Sequence, residues 1–246
     1  MAAIHATVGD RLVAARRATI EHLAWAAMRR GVDQEDGDHP ERYRERDTEI
    51  SRGRSGSKRQ NRPMTETDLH IRSMRDDEFE RVRRLEVAAF GGDESIGLLL
   101  DALRLSWAWE PELSIVAERD SRICAHVLFT RAILDAPDRL VEVLVLSPVG
   151  VRPDLHHQGI GTALISEALG QIAVQRQEPA IFLEGNPKYY ARFGFESACA
   201  IGFRRPSLRT PEPAFQVLRL SSFDGIVSGT LVYPDAFWRT DSVGLR

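Results

Sequence analysis

Cysteine is scarce here: Cys124 and Cys199 are the only two in 246 residues. They form no Cys-x-x-Cys pair and suggest no metal site. Both sit in apolar, strand-like surroundings, so buried, reduced thiols in a cytosolic protein are expected. No apolar run approaches the ~20 residues that span a bilayer. The N-terminus lacks a continuous apolar segment of the secretory kind. A cytoplasmic chain with no membrane partner is therefore expected. Two nucleotide-binding fingerprints are missing, Gly-x-Gly-x-x-Gly and Gly-Lys-Ser/Thr. Positive charge is not in excess either. Residues 1–63 carry 13 Lys and Arg against 10 Asp and Glu, and residues 64–246 carry 20 against 26, for a net –3. An acidic main region argues against nucleic acid as a partner and is compatible with a cationic amine.

What is present divides at about residue 63. Residues 10–28 place Leu12, Ala15, Ile20, Leu23 and Ala27 at helical spacing, between a capping Asp10 and a terminating Gly31. Residues 33–62 are almost entirely charged, Gly, Ser or Pro, which predicts a flexible basic linker. The reading adopted is a short helix and disordered linker over 1–63, an extension from a start upstream of Met64, and one domain over 64–246. In that domain the pattern predicts mixed α/β structure. Strands are expected at 69–74, 113–118, 123–134, 141–151, 180–183, 197–202 and 215–220. Helices are expected at 75–90, with Phe79, Val82, Leu85, Val87 and Ala88 on or near its buried stripe, at 93–105, at 159–176, with Leu164, Ile165, Ala168, Leu169 and Ile172 facing the sheet, and at 187–193.

The order of the chain centres on 141–165. A β-branched apolar run, Val141 to Val151, reads as a buried strand, and Pro153-Asp154 closes it. Gln158-Gly159-Ile160-Gly161-Thr162 then opens an apolar-periodic helix. Two side-chain-free residues at a strand-to-helix turn let the backbone approach an anion closely. The first helical N–H groups lack internal partners and carry the positive end of the dipole. A tight turn with close helix–strand packing would produce the same glycines. The second informative run is Glu184-Gly185-Asn186-Pro187-Lys188-Tyr189-Tyr190-Ala191-Arg192-Phe193-Gly194-Phe195. Pro211 to Phe215 and Ser228 to Phe237 add two shorter matches in order.

Together these runs resemble the GCN5-related N-acetyltransferase superfamily, in its YhbS-like subgroup, over about Leu69 to Leu220. His156-His157-Gln158-Gly159-Ile160-Gly161 is similar to motif A, with His156 where Arg or Gln is usual. The run from Glu184 is similar to motif B, with Asn186 replacing Asp. The resemblance implies an open mixed sheet whose fourth and fifth strands splay apart. It implies that acetyl-CoA binds as co-substrate, its pyrophosphate on His156, His157, Gln158, Gly159, Ile160, Gly161 and Thr162. Its pantetheine would pair with the backbone of Val149 and Val151, as an added strand does, near Asn186. It implies Tyr190, four residues before Gly194, as general acid on the CoA thiolate, with Tyr189 and Arg192 structural. No metal is implied. The Val149 region would supply N–H groups to the thioester carbonyl.

A general base is not legible. Where glutamate-dependent members carry it, this chain has Val145. Glu142 has the wrong parity and reads as a strand-end charge. Ser147 could orient a water, and proton removal by water is the default. His126 reads as a satisfied sheet histidine. The expected activity is direct acetyl transfer to a primary amine. The alternatives are a catalytically silent acyl-CoA-binding regulatory module and a partner-binding protein working through the basic tail. The acceptor and the oligomeric state, a homodimer included, stay open.

Overall fold

The computed structural model describes residues 69–225 and 228–244, so the expected helix at 10–28 and the linker after it lie outside the described residues. The strands are β1 (His70–Ser73), β2 (Ser114–Arg119), β3 (Arg122–Asp135), β4 (Leu140–Val151), β5 (Ala180–Glu184), β6 (Glu196–Ser197), β7 (Phe215–Arg219) and β8 (Thr230–Val232). The helices are α1 (Phe79–Ala89), α2 (Glu94–Arg104), α3 (Ile160–Gln175), α4 (Pro187–Tyr190) and α5 (Asp235–Arg239). They form one open mixed sheet in the order β1-β2-β3-β4-β5-β7-β6. Among the described residues no helix is long and apolar enough to cross a membrane.

The sheet separates two apolar layers. Alternation along the strands sends Val116, Val143, Val145 and Phe182 to the side of α1 and α2 and Ile115, Val127, Leu144 and Ile181 to the side of α3. Leu164, Ile165, Ala168, Leu169 and Ile172 of α3 all face the sheet as expected. On α1 the buried stripe differs from expectation. Phe79, Val82, Leu85 and Val87 are buried, but Ala88 is exposed and the charged Glu86 is inside. A purely apolar template cannot place a carboxylate on a core face.

Other departures have local causes. The expected strand at 197–202 is only Glu196–Ser197. Cys199–Ile201 instead make a 3-10 turn that ends at Gly202, with φ at +98°. Cys199 is accordingly only half-buried in a turn, whereas Cys124 is buried in a strand as expected. β8 and α5 were not expected. β3 has 14 residues and β2 only six, so the far end of β3 has a free edge. β8 covers it through Ile133–Val232, Leu134–Leu231 and Asp135–Thr230. The β3–β4 ladder slips between Val127 and Phe129, opposite Ser147 and Pro148. Pro148 accounts for this bulge, because proline offers the ladder no N–H.

An ion pair fixes β1 to the entry of α1. Arg72 Nη1 donates to Glu78 Oε2 at 2.8 Å and reaches Glu118 on β2. Arg72 holds the Glu78 carboxyl down at about 2, against 4.5 for an unperturbed group. A carboxyl depressed in the folded state adds stability above its unfolded value, and that stability is lost as pH falls through the folded value. Glu78→Gln is therefore expected to cost roughly 1.5–3 kcal/mol near neutral pH. The gap to wild type should close between about pH 4.5 and 2 in urea titrations; a gap independent of pH would disprove this role.

Candidate active site

The site begins where β4 and β5 part. Their parallel pairing consists of Leu144–Ile181 and Val145–Phe182, and no further pairs continue toward their C-terminal ends. β4 nevertheless runs on to Val151 and β5 to Glu184. Arg152 N–H donates to the Cys124 carbonyl at 2.9 Å. Val151 faces Ala125 and Val149 faces Val127 across the same antiparallel ladder. That register makes both valines non-hydrogen-bonded partners of β3, so their N–H and C=O groups point away from it, into the gap. The structure thus brings the Val149 and Val151 backbone to an open strand edge.

The loop at the end of β4 is built by left-handed residues. His157 has φ +61° and Gly159 +75°. Gly159 caps α3, and its carbonyl accepts the first helical bond, from Ala163 N–H at 2.9 Å. The N–H groups of Ile160, Gly161 and Thr162 precede that bond and are available to an anion. Gly161 is needed for closeness: a Cβ there would lie 3.2 Å from Val151 Cγ2 and 3.4 Å from the Tyr189 hydroxyl. His156 spends its Nε2–H on the Val151 carbonyl at 2.9 Å. It therefore closes the loop onto β4, leaving Val151 to offer its N–H alone. Gln158 Oε1 accepts from Arg119 Nη1 at 3.4 Å.

Beside this loop lies a cavity of about 360 Å³ lined by Arg119, Asp120, Arg122, Cys124, Arg152 and Leu155. Arg152 is paired with Asp154 at 2.7 Å. Sequence reasoning missed these arginines because they come from the β2–β3 turn and the end of β4, and only the fold makes them neighbours.

From β5 the chain enters α4. Asn186 accepts from Lys188 N–H at 3.0 Å, so its oxygen serves as helix cap. Tyr190 is buried beside Tyr189 and Phe195, with ring centroids 5.0 and 5.9 Å away. Its ring lies on the Gly185 backbone, where a Cβ would stand 2.9 Å from Tyr190 Cδ2. Burial pushes the Tyr190 phenol up, and Tyr189 and Glu86 add to the effect. Tyr189 packs as expected, its ring centroid 5.0 Å from that of Tyr190 and 5.6 Å from that of Phe193. Its hydroxyl reaches the start of α3 at Gly161, and burial raises its pKa against an opposing Thr162 hydrogen bond. Arg192 donates to the Tyr189 carbonyl at 3.1 Å and stacks over its ring. It is structural, as expected.

The search for a base also changes. Glu142 is exposed and pairs across from Ile133, toward the opposite end of β4 from the loop. It is a strand-end charge. His126 is satisfied on both ring nitrogens, by Ser114 Oγ at 3.0 Å and Glu86 Oε1 at 2.7 Å. Glu86 was missed altogether. The signal available was a lone carboxylate inside an otherwise apolar helical stripe.

The family description Acetyltransferase (GNAT) domain fits residues 70–198. The Escherichia coli K12 protein called uncharacterized N-acetyltransferase YjhQ is 30% identical over 115 residues, which are 47% of this chain and 62% of that protein. The chain thus matches less than two thirds of that relative's length. A GNAT family acetyltransferase from Brucella melitensis, solved with acetyl-CoA, is 29% identical with TM-score 0.55, over 69% of this chain and 97% of its own. E. coli YhbS, solved with CoA, is 26% identical with TM-score 0.64, over 73% and 96%. With more than half of its residues matched by the family and its overall fold similar to these neighbours, the chain belongs to the GNAT acetyltransferases.

Proposed function

We propose that the protein transfers an acetyl group from acetyl-CoA directly to a primary amine. The observation that carries this reading is the open edge of β4. The inward Val149 and Val151 backbone leads to the glycine-built turn that opens α3, and both valines pack in the same apolar layer as Tyr190. An acyl-pantetheine chain is strand-like and matches such an edge. The Val149 N–H would polarise the thioester carbonyl as negative charge develops on it. Gln158 to Thr162 would hold the pyrophosphate through backbone N–H groups. His156 and His157 would shape that loop, and Asn186 would orient α4 beside the pantetheine. Tyr190 would protonate the departing thiolate. The relatives solved with acetyl-CoA and CoA support the choice of co-substrate.

The domain is assigned to 64–246, in the cytoplasm, with residues 1–63 as an appendage. The test uses the full chain and a chain beginning at Met64. Both should gain thermal stability from CoA and release thiol from acetyl-CoA in the presence of putrescine, tryptamine or a lysine peptide. Binding without thiol release across the panel would instead favour a silent acyl-CoA-binding module.

A further inference from the structure

The mechanism above leaves one buried group unused. Glu86 and His126 are both fully buried and meet at 2.7 Å between Glu86 Oε1 and His126 Nδ1. Ser114 Oγ, itself buried, meets the other ring nitrogen. With Ser114 as donor to Nε2, the imidazole gives its Nδ1–H to the carboxylate. Among the described residues the second carboxylate oxygen, Glu86 Oε2, has no side-chain partner and lies against the Gly150 backbone. A fully buried carboxylate with no cation beside that oxygen is costly, so its presence in an apolar stripe calls for a role. It is held over β4 at Gly150: a Cβ on that residue would lie 2.5 Å from Oε2. Gly150 stands between Val149 and Val151, the two residues whose backbone faces the gap.

We propose that Glu86 is the general base of this site, taking the acceptor's proton through one intervening water, with His126 and Ser114 as the residues that position it. The inference rests on the acetyl-transfer reading above. An ammonium acceptor loses one N–H proton to the water as that water gives its own proton to Glu86 Oε2. The freed lone pair attacks the thioester carbonyl. As the tetrahedral intermediate collapses Tyr190 gives its proton to sulfur, and the second N–H proton passes through water to the Tyr190 phenolate, which restores the phenol. Glu86 returns its proton to solvent, so one proton is released per turnover.

The electrostatics fit. Burial, the largest effect, raises the Glu86 carboxyl above its usual value, and His126 and the Gly150 backbone partly offset it. A base brought closer to neutrality is a better proton acceptor at working pH. The titratable groups facing Glu86 are His126 from β3 and Tyr190 from α4. β4 presents Gly150 there, and the α2 carboxylates nearest α1, Glu94 and Asp101, are paired with Arg83.

The test is the pH–rate profile of Glu86→Gln, with acetyl-CoA saturating and the best amine of the panel as acceptor. Gln keeps an oxygen for His126 Nδ1–H, so the fold and the CoA dissociation constant should hold. Turnover should fall about 100-fold near neutral pH and lose its acid limb. It should recover toward wild type as pH approaches the acceptor's own pKa, where the amine deprotonates unaided. A variant with the wild-type rate and profile overturns the proposal. So does a loss of equal size at every pH, which would mark Glu86 as structural. A wild-type chain that turns over no amine at all defeats the acetyl-transfer reading and the base with it. A variant that fails to fold is replaced by Glu86→Asp, which retains a displaced carboxylate and should shift the acid limb without abolishing it; an unshifted limb overturns the assignment.

Discussion

Tyr190→Phe should lower acetyl transfer by roughly 10²–10⁴-fold, the usual worth of a positioned acid, while CoA binds as tightly as before. The Tyr190 ring is what the surrounding aromatics and Gly185 hold, and Phe keeps that ring. Among the described residues its hydroxyl makes no side-chain or backbone hydrogen bond that Phe would orphan, so stability should change little. The shape of the pH profile separates this residue from Glu86. Burial, Tyr189 and Glu86 all push the phenol above its ordinary 10.0, so Tyr190 stays protonated through the neutral range. Its loss should therefore lower the whole profile without moving either limb near neutrality. Gly185→Ala supplies a companion result. It leaves the hydroxyl in place but drives a methyl into the ring. A displacement of about 1 Å is enough to cost on the order of 100-fold in rate. Tyr189→Phe is a poor control, because the Tyr189 hydroxyl borders Gly161. Equal rates for wild type and Tyr190→Phe, with chemistry shown to be the slow step, would remove Tyr190 from the mechanism.

Periodicity made the frame of this protein legible. The 16-residue α3 and the long β3 and β4 bury the residues their spacing indicates. The two glycines at the start of α3 and the Asn-Pro start of α4 mark their turns because each has a specific backbone task. The parts that escaped have tertiary causes. β8 has three residues and exists because β3 outruns β2. Residues 199–201 read as strand from composition alone, yet Gly202 turns the chain there. Glu86 is a local anomaly whose partner lies 40 residues away, so no window of sequence connects them. Tyr189 and Tyr190 are adjacent and chemically identical. Only their packing shows that the Tyr189 hydroxyl borders Gly161 while the Tyr190 ring is enclosed against Gly185.

Substituting the loop glycines should separate two physical requirements that sequence alone presents as one. At a CoA concentration about 100 times its dissociation constant, binding should stabilise the folded chain by about 2.7 kcal/mol. For a domain of this size that is roughly 5–10 °C in the melting temperature. Gly161→Val should lower the ligand-free melting temperature by a few degrees, since its Cβ alone meets the Val151 methyl and Tyr189 hydroxyl at 3.2 and 3.4 Å and both must give. It should also erase the CoA shift, because the branched side chain occupies the approach to the first N–H groups of α3. Gly159→Ala acts differently. Nothing lies within 4 Å of the added Cβ, but φ there is +75°, which costs a non-glycine residue about 1–2 kcal/mol. The ligand-free chain should melt several degrees lower. The CoA shift should survive only to the extent that the strained turn is kept. Differential scanning fluorimetry with and without CoA reads both effects. A full CoA shift in both variants would place the pyrophosphate away from this loop and leave the glycines to turn geometry alone.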